Sequence, residues 1–294
     1  MTVAELRAGG EIEGVFACTR KDRLTARNGS SYLAVELRDR SGAIPARAFR
    51  DADFLAGQFE RGDLVEVRGR VERFRDELQV ELRSIRRADD AGADPAGFLP
   101  VAYRDLEELD GFLEHLAREV HDPELRRLVD SFVGDELFRE RFRRAPCTRS
   151  GHHAYLGGLI EHTVAVATLA TETSILHPRL NSDLLLAAAI VHDIGKLDEF
   201  ELGAEISLSE AGALVGHVAL GQQVVAERGQ ALGLPASKLH ALSHCILGHH
   251  GADGLPGRRF GSPEALALYR LNALDAGVKG ALEHGLDSSW TFRP

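Results

Sequence analysis

At 294 residues the chain exceeds one typical domain, and with 44% apolar residues it can bury a substantial core in each of two. Its formal charge of −10 argues against a general nucleic-acid binder by bulk charge; residues 1–88 nevertheless carry 17 Lys and Arg against 15 Asp and Glu, and the remainder 18 against 30. No apolar run reaches the roughly 18 residues of a membrane span, and MTVAELRAGGEIEG lacks the continuous apolar stretch of a secretory signal. Cys18, Cys147 and Cys245 are far apart, with no CxxC pair. The expectation is a soluble, cytoplasmic protein without disulfides or a membrane partner.

Residues 11 to about 87 read as β structure. EIEGVFACTRKDRLTA alternates loosely, RNGS at 27–30 is a turn signal, and SYLAVELRDRSG alternates before a second turn at Asp39–Gly42. AIPARAF is a further short strand, DADFLAGQF a brief helix, and strands follow around Leu64–Val71 and Leu78–Ile85. Five short strands with a helix between the third and fourth predict a small closed barrel of the OB type.

ADDAGADPAGFLP at 88–100 is a linker, and nearly everything after it has helical periodicity. Helices are predicted near 105–120, 123–133, 135–143, 155–176, 182–195, 209–231, 236–248 and 263–284, with caps at Ser182-Asp183 and Ser209-Glu210 and Pro263 at a first helical position. The chain is therefore expected to be multidomain, α and β: a barrel over 1–88, a linker and connecting helices over 89–144, and an all-α domain over 145–294.

The chemistry concentrates in the helical half. His192 and Asp193 close the apolar run LLLAAAIV, and Lys196 follows three residues on. Neighbouring ionisable groups in such a setting need a partner, and a divalent cation is the usual one. Further ligand candidates are His162 in GGLIEHTV, His217 in LVGHVALG, His249 and His250 in ILGHHG, and Asp275 in LNALDAG. Imidazole and carboxylate suit Mn, Fe, Co, Ni or Zn, and the lack of cysteine ligands argues against a closed structural zinc site. Seven candidates exceed the needs of one ion. Two ions are expected, with Asp193 bridging: His162, His192 and Asp275 on one, His217, His249 and His250 on the other. Two metals about 4 Å apart are an arrangement suited to phosphate-ester hydrolysis. Asp193 and Lys196 are the expected catalytic residues, Lys196 as a contact to a phosphate oxygen; an exposed helix-end lysine is the plainer alternative. His121, His177, His240, His244 and His284 read as structural or surface residues.

The His-Asp pair resembles the HD superfamily of metal-dependent phosphohydrolases. SGHHAYLGGLIEHT, HDIGKLDEFEL, GHVALG and ILGHHG, together with RNGSSYLAVELRDRSGAIPARAF in the barrel, resemble the YhaM-type 3′-to-5′ exoribonucleases over nearly the full length. That resemblance implies an OB-type domain joined to an HD domain. It also implies single-stranded RNA, with single-stranded DNA as a further substrate class, trimmed from the 3′ end with manganese-like ions (Mn2+ first, then Co2+, Fe2+ or Ni2+).

An OB barrel binds strands by stacking bases on aromatics and tracking phosphates with cations. Tyr32, Phe16, Phe49 and Phe74 are candidate stackers, with Phe16 and Phe49 more readily read as core. Arg20, Lys21, Arg23, Arg27 and Arg47 are candidate phosphate contacts. His152, His153 and Tyr155 match the family motif, and His153 is expected to touch substrate. Homo-oligomer formation stays open. Two rival readings stand beside the exonuclease: an HD hydrolase of small nucleotides, which would not need the barrel, and a nucleic-acid-binding regulator whose HD domain is scaffold. A di-iron oxygenase has only the ligand set in its favour.

Overall fold

The computed structural model describes residues 2–25, 29–89, 94 and 97–284; the Arg27 candidate, half of the first turn signal and much of the 88–100 linker lie outside these, as does the His284 side chain. The chain divides into two compact units, Met1–Val101 with Leu202–Ser207, and Ala102–Glu201 with Leu208–Pro294.

The first unit is a closed barrel of β1 (Glu11–Thr25), β2 (Ser31–Asp39), β3 (Gly42–Ala48), β4 (Leu64–Phe74) and β5 (Glu77–Arg87), in the order β1-β2-β3-β5-β4. The fifteen residues of β1 serve two neighbours: Glu11–Ala17 pairs with β4 and Ala17–Thr25 with β2. A register shift between Cys18 and Arg20 marks the passage from one partner to the other, as a bulge at a barrel corner does. The short parallel pairing of Ala46–Arg47 with Val80–Glu81 closes the ring. Helix α1 (Ala52–Ala56) lies between β3 and β4 in sequence. Alternate residues fill the interior: Leu33, Val35 and Leu37 from β2, Val65, Val67 and Val71 from β4, and Phe16 from β1 are all buried.

The second unit is mainly helical: α2 (Leu106–Arg118), α3 (Pro123–Val133), α4 (Glu136–Arg144), α5 (Gly158–Leu176), α6 (Ser182–Val191), α7 (Lys196–Glu199), α8 (Glu210–Leu214), α9 (His217–Ala231), α10 (Ala236–Gly248) and α11 (Pro263–His284). Asp105, Asp122, Asp135 and Asn181 cap α2, α3, α4 and α6 by accepting from backbone N–H groups of the first turn. Helix α6 is the centre of this unit. All eight residues Leu184–Val191 are buried, and it packs against α3, α5, α10 and α11. A helix apolar all round has no solvent face, which places whatever follows it deep in the protein.

The helical reading needs three corrections. The helix expected to run to 195 ends at Val191, and 192–195 is a turn before α7. The helix expected over 209–231 breaks at Gly216, whose φ of 78° helical geometry does not permit. Between α7 and α8 lies a two-stranded hairpin, β6 (Phe200–Leu202) and β7 (Ile206–Leu208), in a half expected to be all-α. Its tip belongs to the first unit. Ala204 packs with Ala17 and Leu64, and its carbonyl accepts from Arg38 Nη2 at 2.8 Å. Three residues per strand are too few to show alternation in the sequence.

Candidate metal centre

The deep C-terminus of α6 delivers His192 and Asp193, both essentially without solvent exposure, into a ring of imidazoles. Four of them turn Nε2 toward the single carboxylate of Asp193. His192 and His162 stand 3.2 and 3.5 Å from Oδ2, and His249 and His217 stand 3.3 and 3.5 Å from Oδ1. His250 sits on the rim with its Nε2 2.9 Å from that of His217. Asp193, His217, His249 and His250 form one group of mutually close ligand atoms, and His162, His192 and Asp193 another.

The other nitrogen of each of the four rings has an acceptor. His192 Nδ1 donates to the Ala189 carbonyl at 2.8 Å, His249 Nδ1 to the Ile246 carbonyl at 2.5 Å, His217 Nδ1 to Glu199 Oε1 at 2.9 Å and His162 Nδ1 to Asp275 Oδ2 at 2.6 Å. Those partners place the proton on Nδ1 and leave Nε2 as a lone pair on His192, His217 and His249; His162 has an acceptor at each nitrogen, Asp275 Oδ2 and Asn272 Oδ1. Burial, despite the nearby Asp193 charge, holds His162 and His249 below the ordinary imidazole pKa, so both rings are neutral at pH 7. Lone pairs then face a carboxylate, acceptor against acceptor. Asp193 Oδ1 and His249 Nε2 are buried and have no hydrogen-bond partner. A buried polar group without a partner is costly. A divalent cation at this point would satisfy them, so the residues fit a metal centre of the kind the sequence implies.

Lys196 is not the exposed helix-end lysine of the plainer reading; it borders a cleft. It is 4% exposed, with Nζ 2.7 Å from Asp193 Oδ2 and 3.3 Å from Cys147 Sγ. Burial opposes its charge, but Asp193 and Cys147 outweigh burial and raise its pKa. Asp193 in turn is held well below the usual carboxylate range, because His192 and Lys196 overcome the effect of burial. Cys147 lies beside the centre, a neighbour that the sequence reading had not placed there. Its Sγ is grouped with His152 and His162, and burial pushes the thiol up to about 12.

Asp275 meets His162 at Nδ1, the ring edge turned away from His192, and its close group is His153 and His162. His153 is corrected in placement. Only 1% exposed, with φ at 53°, it packs behind His162 and is out of reach of a strand at the surface. Two residues escaped the sequence reading. Glu199 accepts from both Nδ1 and the backbone N–H of His217. Asn272, buried, donates from Nδ2 to the His249 carbonyl at 3.1 Å and holds Oδ1 2.9 Å from His162 Nε2. Asn272 lies three residues before Asp275 on one helix, which puts both on one face; that spacing was the available signal.

Of the outlying histidines, His121, His177 and His240 are exposed, and His244 Nε2 accepts from the Gly261 N–H at 2.8 Å. A cleft of about 300 Å³ opens onto the centre, bordered by Lys196, His217 and His250.

On the barrel, the register sorts the nucleic-acid candidates. Arg20, Tyr32 and Arg47 lie on the outward face, opposite in phase to the buried Leu33, Val35 and Ala46. Tyr32 stacks on Phe49 with centroids 5.3 Å apart, and the Arg47 guanidinium lies over the rings of Tyr32 and Phe74. Phe49 is 52% exposed, correcting the core reading, whereas Phe16 is core. Lys21 is withdrawn: its Nζ donates to the Phe59 carbonyl and to Glu60 and lies over the Phe59 ring. Arg20 and Arg23 are exposed and paired with Asp22 and Asp53.

Comparison with known proteins agrees with this division. The family profile described as an OB-fold nucleic acid binding domain matches residues 10–88, and that of the HD domain matches residues 159–277. The chain joins an OB-fold domain to an HD domain. The candidate metal centre, from His162 to Asp275, falls inside the HD match. Curated relatives named 3′-5′ exoribonuclease YhaM share this length: that of Oceanobacillus iheyensis is 28% identical over 91% of this chain and 84% of its own. Its namesake from Geobacillus sp. (strain WCH70) is 28% identical over 93% and 85%. Among solved structures, the second OB-fold domain of replication protein A from Methanococcus maripaludis is 21% identical over 30% of this chain and 94% of its own, with a TM-score of 0.24. No helix among the described residues is long and apolar enough to cross a membrane.

Proposed function

We propose that the chain is a metal-dependent 3′-to-5′ exoribonuclease that shortens single-stranded RNA, and single-stranded DNA as a secondary substrate, to nucleoside 5′-monophosphates. The observation that carries this reading is the ring of four imidazole Nε2 atoms around one buried carboxylate, in an HD domain that follows an OB-fold domain. The relatives named 3′-5′ exoribonuclease YhaM support the polarity and the substrate.

His162 and His192 with Asp193 Oδ2 would hold one ion, and His217, His249 and His250 with Oδ1 the other; Mn2+ is the first choice, with Co2+, Fe2+ and Ni2+ as alternatives. When bound, the ions supply Lewis-acid stabilisation of the charge that develops on a phosphodiester. The protein's own part is orientation. The Ala189 and Ile246 carbonyls, Glu199 and Asp275 fix the rings before substrate arrives. Lys196 keeps the Asp193 carboxylate ionised and aimed. The outward aromatics Tyr32, Phe49 and Phe74 stack bases, with Arg47 beside them for the backbone.

The test is a 5′-labelled single-stranded RNA with purified protein and Mn2+, alongside EDTA and Asp193→Asn controls. A ladder shortening from the 3′ end, absent in both controls, is the expected outcome. RNA left intact under Mn2+, Co2+, Fe2+ and Ni2+ alike rules the reading out.

A further inference from the structure

The cleft beside the metal centre has walls that the metal chemistry does not use. Besides Lys196, His217 and His250 it is lined by Arg149, Phe200 and Leu208. Its volume of about 300 Å³ stands at the lower end of small-ligand pockets, which run from roughly 300 to 1,000 Å³. That is room for one nucleotide and not for several. Arg149 is exposed, and its guanidinium has no ion-pair or hydrogen-bond partner among the described residues, unlike Lys196, which is committed to Asp193. Phe200 is half-buried and Leu208 is 40% exposed, so an aromatic ring and an aliphatic side chain border the same space as an uncommitted cation.

We propose that this cleft is a mononucleotide subsite: Phe200 and Leu208 receive a base, and Arg149 binds the phosphate that accompanies it. The inference rests on the exonuclease reading for its biological use, where it holds the 3′-terminal nucleotide during cleavage and the nucleoside 5′-monophosphate afterwards. An aromatic face takes any base, because every base presents a π-surface, so the subsite is blind to sequence. The cation selects the phosphorylated form over the bare nucleoside. Both features suit an enzyme that removes whatever residue stands at an end. The product occupies the place the next terminal nucleotide needs, so nucleoside monophosphate inhibits competitively.

The test is equilibrium binding of AMP and of adenosine to the Mn2+-loaded protein by titration calorimetry, with no turnover required. Wild-type protein binds AMP more tightly than adenosine. Phe200→Ala weakens both by about tenfold, within the range a stacked base contributes, and Phe200→Tyr restores both. Arg149→Ala weakens AMP by a similar factor and leaves adenosine unchanged. Circular dichroism melts on the same samples exclude unfolding, and Arg149, being exposed, is replaceable without loss of packing. Absence of AMP binding to the wild type, or AMP affinity unchanged in either alanine variant, overturns the proposal. Its failure is separable from that of the exonuclease reading: a cleft that binds AMP in a protein that makes no RNA ladder leaves a mononucleotide site and removes the RNA.

Discussion

Asp193 is the residue on which the second unit turns, and its partners divide the consequences of changing it. The sequence alone suggests that Asp193→Ala leaves the fold intact. The buried ion pair with Lys196 changes that expectation, because alanine strands an ammonium that is 4% exposed. Breaking such a pair by removing one member costs about 3–5 kcal/mol. Metal-free Asp193→Ala is therefore expected to melt well below wild type, and Asp193→Ala combined with Lys196→Met to recover much of the loss; equal melting temperatures for the two variants would remove the pair from the account. Glu199 acts at one remove. It fixes the proton of His217 on Nδ1, so Glu199→Gln is expected to weaken metal binding by about 10- to 100-fold with little change in melting temperature of the metal-free protein. A metal titration followed by calorimetry measures this directly.

The elements meet at the site through glycines as much as through ligands. A Cβ on Gly195 would stand 2.1 Å from the His217 carbonyl oxygen and 2.4 Å from the Gly221 nitrogen, both on backbone that cannot step aside. The turn after α6 thus reaches the start of α9 only because residue 195 has no side chain, and this close approach sets His217 beside Asp193. Gly195→Ala is expected to cost about 1–3 kcal/mol in stability and to lower metal affinity with it, read from denaturant melts and metal titration together. Asp122 gives a control far from the metals. It caps α3 and pairs with Lys238; burial alone would raise its pKa, but Lys238 and the Leu125 N–H outweigh it and lower it. A depressed carboxyl stabilises above its unfolded value, here near 3.8, and that contribution is lost as pH falls through the lower folded value. Asp122→Ala should therefore melt below wild type at pH 7, by about 1 kcal/mol for the lost cap, and the gap should narrow below pH 3.8.

At the scale of the whole chain, the proposed exonuclease would divide the work of holding a strand between its two units. The outward barrel aromatics are expected to govern affinity for long strands and not the chemical step. Tyr32→Ala with Phe49→Ala should raise KM for an oligonucleotide by tenfold or more, leave kcat within about twofold, and leave AMP binding untouched. The phosphate part of that affinity should fall steeply with added salt. Equal KM values for long RNA in wild type and double variant would show that the barrel face does not carry the strand.

Strand alternation and turn residues made the barrel legible, down to the helix between its third and fourth strands, because a closed sheet buries alternate residues of every strand. Helical periodicity, with Ser209 before α8 and Pro263 at the start of α11, made most helices legible for the same local reason. The cap of α6 proved to be Asn181 rather than Ser182. The ordered histidines and aspartates marked the centre. The small hairpin at 200–208 was hidden, since three-residue strands carry no period. Residues whose roles depend on distant neighbours were hidden too. Lys196 read as a phosphate contact or a helix-end lysine, and its pairing with Cys147 and Asp193 was not visible; His153 read as a contact, and its packing against His162 was not visible; Glu199 and Asn272 had no identity as partners until the helices converged. The exposure of Phe49 and the engagement of Lys21 likewise depend on which face of the barrel each strand presents at its end. Local chemistry along the chain determined which elements form and which side chains can bind a metal. Only the packing of α5, α6, α9 and α10 decided which imidazoles share the Asp193 carboxylate, because those contacts join residues far apart in sequence.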